Sequence, residues 1–133
     1  MLSYLNIGAN DLEQSARFYR AVLGPLSYED ERVEEAVRFS LAGAEDRDNG
    51  PGTIWVHQPF DGRPAMPANG MMPAFRAGDA ETVASVHAAG LEAGGTDEGG
   101  PGTRSYYSDD FFVAYLRDPV GNKLAVFCVL SKP

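Results

Sequence analysis

The sequence has a single cysteine, Cys128, and no long run of apolar residues. A lone cysteine excludes a disulfide within the chain, and its place in the apolar segment 124–130 favours a buried structural thiol over a reactive one. The apolar runs span only a few residues, far fewer than the roughly 20 that a membrane-spanning helix needs. The N-terminus also lacks the charged segment and apolar core of an export signal. We therefore expect a cytoplasmic protein that does not bind membranes.

Positive charge is scarce as well, since 11 Lys and Arg face 19 Asp and Glu and give a net charge of -8. The basic residues are scattered along the chain, and the acidic balance would repel a phosphate backbone. We therefore expect no nucleic acid partner. The acidic stretch 29–35 could attract a cationic ligand, but such a run is more typical of a solvated turn. At 133 residues with 44% hydrophobic residues, the chain fits one globular domain.

What the chain does contain is a repeat at an offset of 68 residues, because segment 77–81 (AGDAE) matches segment 9–13 (ANDLE). Asn10 with Glu13 reads as a capping box that opens a helix, which Gly24 and Pro25 end. The second helix opens in segment 78–81, and two glycines at 94–95 stop it. Each predicted helix follows a strand-like segment, so the chain is built from two similar halves.

Short strands are predicted around both helices. In the first half they are 3–7, 26–29, 36–41 and 53–58, and in the second half 71–75, 106–107, 112–117 and 123–130. The Gly- and Pro-rich segments 49–52, 59–69 and 94–102 are predicted to be loops. Each half thus follows the order strand, helix, three strands, which predicts an α+β fold.

Two segments, 10–24 (NDLEQSARFYRAVLG) and 117–123 (RDPVGNK), resemble signatures of the glyoxalase/bleomycin-resistance protein/dioxygenase superfamily, also called vicinal oxygen chelate proteins. Segments 86–95 (VHAAGLEAGG) and 101–104 (PGTR) resemble the second half of these proteins. The resemblance implies one domain of two βαβββ modules, about 1–64 and 65–133, whose curved mixed sheets form a cleft. A second subunit often completes that cleft, so we expect a homodimer.

The resemblance also implies where a metal would bind, because in metal-dependent members the first and last strands of each module supply its ligands. Three of these positions map to Tyr4, Met72 and Ala125. The fourth is His57 if the offset of 68 is kept, and Trp55 if the apolar runs are aligned; both lie on one face of a strand. A phenol, a thioether and a methyl group cannot replace the hydration shell of zinc, nickel or iron. We therefore expect no metal and no other cofactor.

Several residues are candidates for a ligand-binding cleft. His57 could act as a base or hydrogen-bond a ligand, with Tyr4 as a second tentative catalytic group. Arg104 lies in a predicted glycine-rich loop and could clamp an anionic group, although a plain surface arginine is the alternative. His87 is expected to be structural, and Asp109 with Asp110 to form a turn. Aromatic residues could form a wall for a planar ligand, namely Trp55, Phe75, Tyr107, Phe112 and Phe127.

These residues allow three functions. The first is a binding protein for a small organic molecule, with a ligand-binding set of Tyr4, Trp55, His57, Met72, Arg104, Tyr107, Phe112 and Ala125. The second is a metal-independent isomerase- or lyase-like enzyme that uses His57 or Tyr4. The third is a metal-dependent lyase or dioxygenase, and the residues at the ligand positions argue against it.

Overall fold

The computed structural model describes residues 1–131, which form eight strands and two α-helices. The first half contains β1 (Tyr4–Gly8), α1 (Leu12–Leu23), a short 3-10 helix (Gly24–Leu26), β2 (Tyr28–Val33), β3 (Ala36–Leu41) and β4 (Thr53–His57). The second half contains β5 (Ala74–Arg76), α2 (Ala80–Glu92), β6 (Thr96–Arg104), β7 (Ser108–Arg117) and β8 (Lys123–Val129). Within residues 1–131, neither helix combines the length and apolarity that crossing a membrane requires.

The two halves form two separate four-stranded sheets with the same topology. The strand orders are β1-β4-β3-β2 and β5-β8-β7-β6, so each strand of the second half takes the place of its counterpart in the first. In both sheets the first and last strands pair in parallel and the other pairs are antiparallel. The predicted α+β fold of two βαβββ modules is confirmed, with two mixed sheets that do not close.

The helix N-caps follow the repeat, but the first cap is not the predicted residue. Asp11 accepts a hydrogen bond from Gln14 N at 3.1 Å, and Asp79 accepts one from Thr82 N at 2.8 Å. The prediction of Asn10 as the cap is wrong because its side chain is engaged elsewhere. It accepts from Ala65 N at 2.7 Å and donates to Ala65 O at 3.1 Å, which fixes the segment between β4 and β5 against the start of α1.

Asp79→Ala is expected to lower the thermal unfolding midpoint at neutral pH, because α2 loses its capping carboxylate. The hydrogen bonds from the side chain and backbone of Thr82 lower the pKa of Asp79. A lowered pKa in the folded state means that the carboxylate stabilises the protein above the ordinary Asp pKa and stops doing so as the pH falls through the lowered value. Circular dichroism melts should therefore show a difference at about pH 7 that shrinks below about pH 4.

The matched control is Glu45→Ala, which removes the same charge from an exposed residue that has no side-chain partner within residues 1–131. A wild-type to Asp79→Ala difference that stayed constant on acidification would contradict the capping role of the carboxylate.

Several strand predictions are wrong in the second half. Most of segment 94–102, the predicted loop, belongs to β6, which pairs with β7 through several register shifts. Tyr106 and Tyr107, predicted to form a strand, lie in the turn between β6 and β7, and Asp109 and Asp110, predicted to form a turn, lie in β7. Glycine has low strand propensity, so backbone pairing with β7, and not local preference, makes β6 a strand.

The acidic stretch in the first half is also a strand for most of its length. Residues 29–33 lie in β2, and only Glu34 and Glu35 form the turn to β3. Asp30 bonds Arg20 of α1 at 2.8 Å, and Glu31 bonds Arg38 of β3 at 2.6 Å. The stretch is therefore held by arginine partners on both of its sides.

One hydrophobic core runs through both halves and contains residues of both helices and both sheets. The end of α2 and the residues after it pack closely against β7 and α1 because Gly90 and Gly95 carry no side chain: a Cβ on Gly90 would lie 2.8 Å from Leu116 of β7, and one on Gly95 would lie 2.5 Å from the Phe18 ring of α1. Cys128 is buried in this core, and burial raises the pKa of its thiol. The prediction of a buried thiol is confirmed.

A buried carboxylate joins the two halves. Tyr19 of α1 donates to Asp118 Oδ2 at 2.6 Å, and Asn122 Nδ2 donates to the same oxygen at 3.0 Å. The other oxygen of Asp118 accepts the backbone N–H groups of Val120, Gly121 and Asn122 at 2.9–3.0 Å. Burial and the adjacent carboxylate raise the pKa of Tyr19, so the phenol stays a donor. The segment RDPVGNK thus serves to hold the β7–β8 turn against α1.

Candidate functional site

The first candidate surface is the side of the first sheet that faces away from the core, which we call face one. Side chains alternate along β1 and β4, so Ile7, Ile54 and Val56 enter the core. The alternate residues face outward, and an open pocket of about 390 Å³ is lined by Tyr4, Asn6, Val33, Asp48, Asn49, Trp55 and His57. Three of the predicted site residues, Tyr4, Trp55 and His57, therefore lie together.

Strand register decides which residue of β4 corresponds to Ala125. In the first sheet Asn6 of β1 pairs with Trp55. In the second sheet Ala74 of β5, which lies 68 residues after Asn6, pairs with Ala125. Trp55 is therefore the counterpart of Ala125, and His57 lies one outward position further along the strand.

An arginine that the sequence reasoning missed fixes the orientation of Trp55. Arg38 of β3 bonds Asp48 and Glu31 at 2.6 Å each, and its guanidinium lies 5.9 Å from the centre of the Trp55 ring. Trp55 Nε1 donates to the backbone oxygen of Asp48 at 2.8 Å. These contacts fix the orientation of the half-buried indole ring on face one. The sequence does contain a signal for this position. Val37 and Phe39 are apolar, so alternation along β3 predicts that Arg38 between them faces away from the core.

His57 lies at the edge of face one with one ring nitrogen engaged. Nδ1 is 2.7 Å from the backbone oxygen of Gln58. Because a carbonyl oxygen can only accept, this hydrogen bond places the proton on Nδ1 and leaves a lone pair on Nε2 of the neutral ring. His57 also lines an adjoining pocket together with Glu34, Trp55 and Phe60. Its neutral form could accept a proton or a hydrogen bond from a molecule bound there.

The second candidate surface is the corresponding side of the second sheet, which we call face two. Leu124, Val126 and Cys128 of β8 enter the core, so Lys123, Ala125 and Phe127 lie on the other side of the sheet, where Ala125 is 2% exposed. Their antiparallel partners in β7 are Arg117, Tyr115 and Val113. Phe112, placed in the ligand-binding set from the sequence, pairs with Cys128 and packs against the core, and Phe111 faces outward instead. Phe75 is buried in the core as well.

Face two combines aromatic rings with cations. The ring centres of Phe111 and Phe127 are 5.4 Å apart, and Tyr107 stands edge-on to Phe111 at 5.9 Å. The Arg76 guanidinium lies 5.0 Å from the Phe127 ring. On Tyr115, the Arg104 guanidinium lies at 5.6 Å and Lys123 Nζ at 5.0 Å. Of the predicted residues, face two therefore brings Arg104, Tyr107 and Ala125 together, and it adds Arg76, Tyr115 and Lys123.

Arg104 is the last residue of β6, so the prediction that it lies in a loop is wrong. The glycines of the same strand leave room for its side chain. A Cβ on Gly99 would lie 2.9 Å from the Tyr115 ring and 3.2 Å from the Arg104 guanidinium, and one on Gly102 would lie 3.3 Å from that guanidinium. Arg104 donates to the backbone oxygen of Gly100 at 2.8 Å. The arginine therefore lies back across its own strand with its guanidinium over Tyr115.

Met72 precedes β5 and is 42% exposed. It lines a separate shallow pocket with Met71, Arg117 and Lys123. Its thioether therefore lies beside the cationic end of face two.

The side chains at the family's metal-ligand positions do not fit a transition metal. With the register fixed, these positions hold Tyr4, Trp55, Met72 and Ala125, which together offer a phenol, an indole, a thioether and a methyl group. Across residues 1–131, no three His, Cys, Asp or Glu side chains are grouped so that they could hold an ion. Zinc, nickel and iron sites need three or four N, O or S donors. We therefore derive no chemical step through a metal.

Comparison with known proteins identifies the family of the chain. The model of the Glyoxalase/Bleomycin resistance protein/Dioxygenase superfamily matches residues 1–126. The chain belongs to this superfamily. No protein of curated function matches its sequence.

Solved structures of the superfamily share the fold over nearly the whole chain. A glyoxalase/bleomycin resistance protein from Albidiferax ferrireducens is 34% identical, with a TM-score of 0.80 over 98% of each chain. A glyoxalase/bleomycin resistance protein/dioxygenase family enzyme from Burkholderia phytofirmans is 20% identical, with a TM-score of 0.69 over 97% of this chain and 98% of the other. A glyoxalase-related enzyme from Fulvimarina pelagi is 20% identical, with a TM-score of 0.71 over 96% and 87%. At 20% identity the last two show the fold alone.

Proposed function

We propose that this superfamily member binds a small organic molecule on its outward sheet faces without using a metal. The observation that carries the proposal is the set of residues at the four ligand positions, since all four are poorly suited to a metal ion and Tyr4, Trp55 and Met72 are accessible to an organic molecule. The aromatic residues around them, such as Trp55 on face one and Phe127 on face two, supply flat apolar contact area. We retain the prediction of a cytoplasmic location.

The same proposal includes a homodimer. Several apolar side chains are exposed in a single chain, among them Tyr4, Met72 and Val129, at 46%, 42% and 47%. A second copy would cover part of this surface and turn the open faces into a deeper cleft. Sedimentation at micromolar concentration should then give twice 14.3 kDa. A monomer at that concentration would refute the homodimer.

The binding proposal is tested by native mass spectrometry on protein purified from its own host. We expect an organic molecule bound to the chain. Binding should be lost in Trp55→Ala, which removes the aromatic ring of face one, or in Arg104→Ala, which removes the guanidinium of face two. The matched control is Leu91→Ala on α2, which shortens an exposed apolar side chain outside both faces. Protein that carries no organic molecule would count against the proposal.

A second candidate function is metal-independent proton transfer by His57. The hydrogen bond from Nδ1 to Gln58 favours it, because the neutral ring then presents an unprotonated Nε2. Tyr4 on the same face could supply a proton. Incubating the extracted molecule with the protein in heavy water tests this function. Deuterium incorporation that disappears in His57→Ala would support an enzyme, and no incorporation would leave binding as the function.

A further inference from the structure

The basic residues of this acidic protein are paired unevenly. Among residues 1–131, six arginines have a carboxylate partner, namely Arg20, Arg32, Arg38, Arg47, Arg63 and Arg117. Four basic residues of the same part of the chain form no ion pair, namely Arg17, Arg76, Arg104 and Lys123. Three of these four lie on face two. In a chain with 19 acidic residues, this grouping leaves a local excess of positive charge on one surface.

The three cations lie over aromatic rings instead of beside carboxylates. Arg76 lies over Phe127, and Arg104 and Lys123 both lie over Tyr115. A cation over a ring keeps its charge uncompensated, because the ring contributes only its quadrupole. Arg104 uses two of its N–H groups on the backbone oxygens of Gly100 and Thr103, and a guanidinium has five. Further donors remain for a ligand.

The floor between these cations is apolar and uncharged. The half-buried Phe127 and Tyr115 supply its accessible part, while Ala125, opposite Tyr115, and Val113, opposite Phe127, are 2% and 0% exposed. Ala125 contributes only a methyl group opposite Tyr115, the ring that Arg104 and Lys123 cover. A carboxylate there would neutralise Lys123 or Arg104, so the alanine preserves the positive charge of the surface.

We propose that face two binds a flat organic anion, of the class of an aromatic or conjugated carboxylate. Its ring contacts the accessible parts of Phe127 and Tyr115 that the cations leave uncovered, and its carboxylate is held at the Tyr115 side by Arg104 and Lys123. Arg76 flanks the ring at Phe127. The guanidinium fork of Arg104 matches the two oxygens of a carboxylate, which gives the preference for this anion. The inference rests on the proposed function and specifies the ligand class for one of its two faces.

The test compares three probes that share a ring and differ in charge: naphthoate, naphthylmethanol and naphthylmethylammonium. Titration calorimetry on the full chain should show naphthoate binding about tenfold or more tightly than the alcohol. Arg104→Gln and Lys123→Gln should each weaken naphthoate binding about tenfold and leave the alcohol unchanged. The control Arg17→Gln removes the same charge from α1, where the arginine bonds only the backbone oxygen of Glu92. It should leave naphthoate binding unchanged.

The outcomes separate the two proposals. Naphthoate binding that falls in Arg104→Gln but not in Arg17→Gln supports the anion site. If the alcohol or the ammonium binds at least as tightly as naphthoate, the anion site is refuted and the binding function stands. Equal losses in Arg17→Gln and Arg104→Gln also refute it, since only net charge would then matter. If no probe binds, the anion site is refuted, and native mass spectrometry alone decides the binding function. If Arg104→Gln converts a dimer to a monomer and naphthoate never binds, a second copy occupies face two and the anion site is refuted.

Discussion

Replacing Asp118 with alanine is expected to lower the free energy of unfolding by about 3–5 kcal/mol. Its two carboxylate oxygens accept hydrogen bonds from Tyr19, from the Asn122 side chain and from three backbone N–H groups. Asp118 is 2% exposed and Tyr19 is 1% exposed, so water cannot reach the Tyr19 hydroxyl in place of the lost acceptor without opening the core. The variant therefore removes the acceptor of the buried Tyr19 hydroxyl and of several partly buried donors in the β7–β8 turn.

Urea denaturation of matched variants measures this effect. Tyr19→Phe removes one donor and keeps the carboxylate, so it should lower the free energy of unfolding by only about 1 kcal/mol. Asp118→Asn keeps an acceptor for the backbone N–H groups but turns a donor toward Asn122, and should fall between the two. An Asp118→Ala variant within about 1 kcal/mol of wild type would show that this network does not hold the two halves together.

Gly95→Ala is expected to be the next most damaging change, with a loss of about 1–3 kcal/mol. The added methyl group would lie 2.5 Å from the Phe18 ring and 2.9 Å from the backbone oxygens of Arg117 and Gly90. A ring can rotate away, but two backbone oxygens of a strand and a helix cannot move without disturbing β7 or α2. The loss should therefore come from strain in the packing of the helices against the second sheet.

The matched control is Gly78→Ala, because a Cβ there meets nothing within 4 Å. It should change the free energy of unfolding by less than about 0.5 kcal/mol. Chemical denaturation of both variants measures their free energies of unfolding. Equal values would mean that the surrounding residues move away from the added methyl group at position 95 without a loss of stability.

Local sequence patterns predicted the modules well and their details less well. The offset of 68 residues identified both helices, because capping and apolar periodicity are local properties. Asn10 and Asp11 are both good caps, and the choice between them depends on Ala65, a contact 55 residues away that no local rule describes. The strand β6 was missed because its glycines favour a loop locally, while its pairing with β7 is a tertiary interaction.

The candidate site could be predicted in the same uneven way. Alternation along β4 put Trp55 and His57 on one face, and the resemblance to the superfamily put Tyr4 in the same cleft; all three line one pocket. In β7 both Phe111 and Phe112 are aromatic, so alternation could not tell which of the two faces outward. Arg76 and Lys123 come together on face two only because β5 and β8 are neighbours in the sheet, which the sequence does not specify.

The metal content of protein purified from its own host, measured by elemental analysis after dialysis without chelator, tests the central claim most directly. The claim is that this member of the superfamily binds its ligand without a metal ion. Its ligand positions hold poor metal ligands, namely Tyr4, Trp55, Met72 and Ala125, and His57 does not occupy one of these positions. We expect transition metal far below one ion per chain, with no difference between wild type and His57→Ala. Close to one ion per chain, lost in His57→Ala, would contradict the account and favour a rearranged metal site built around that histidine.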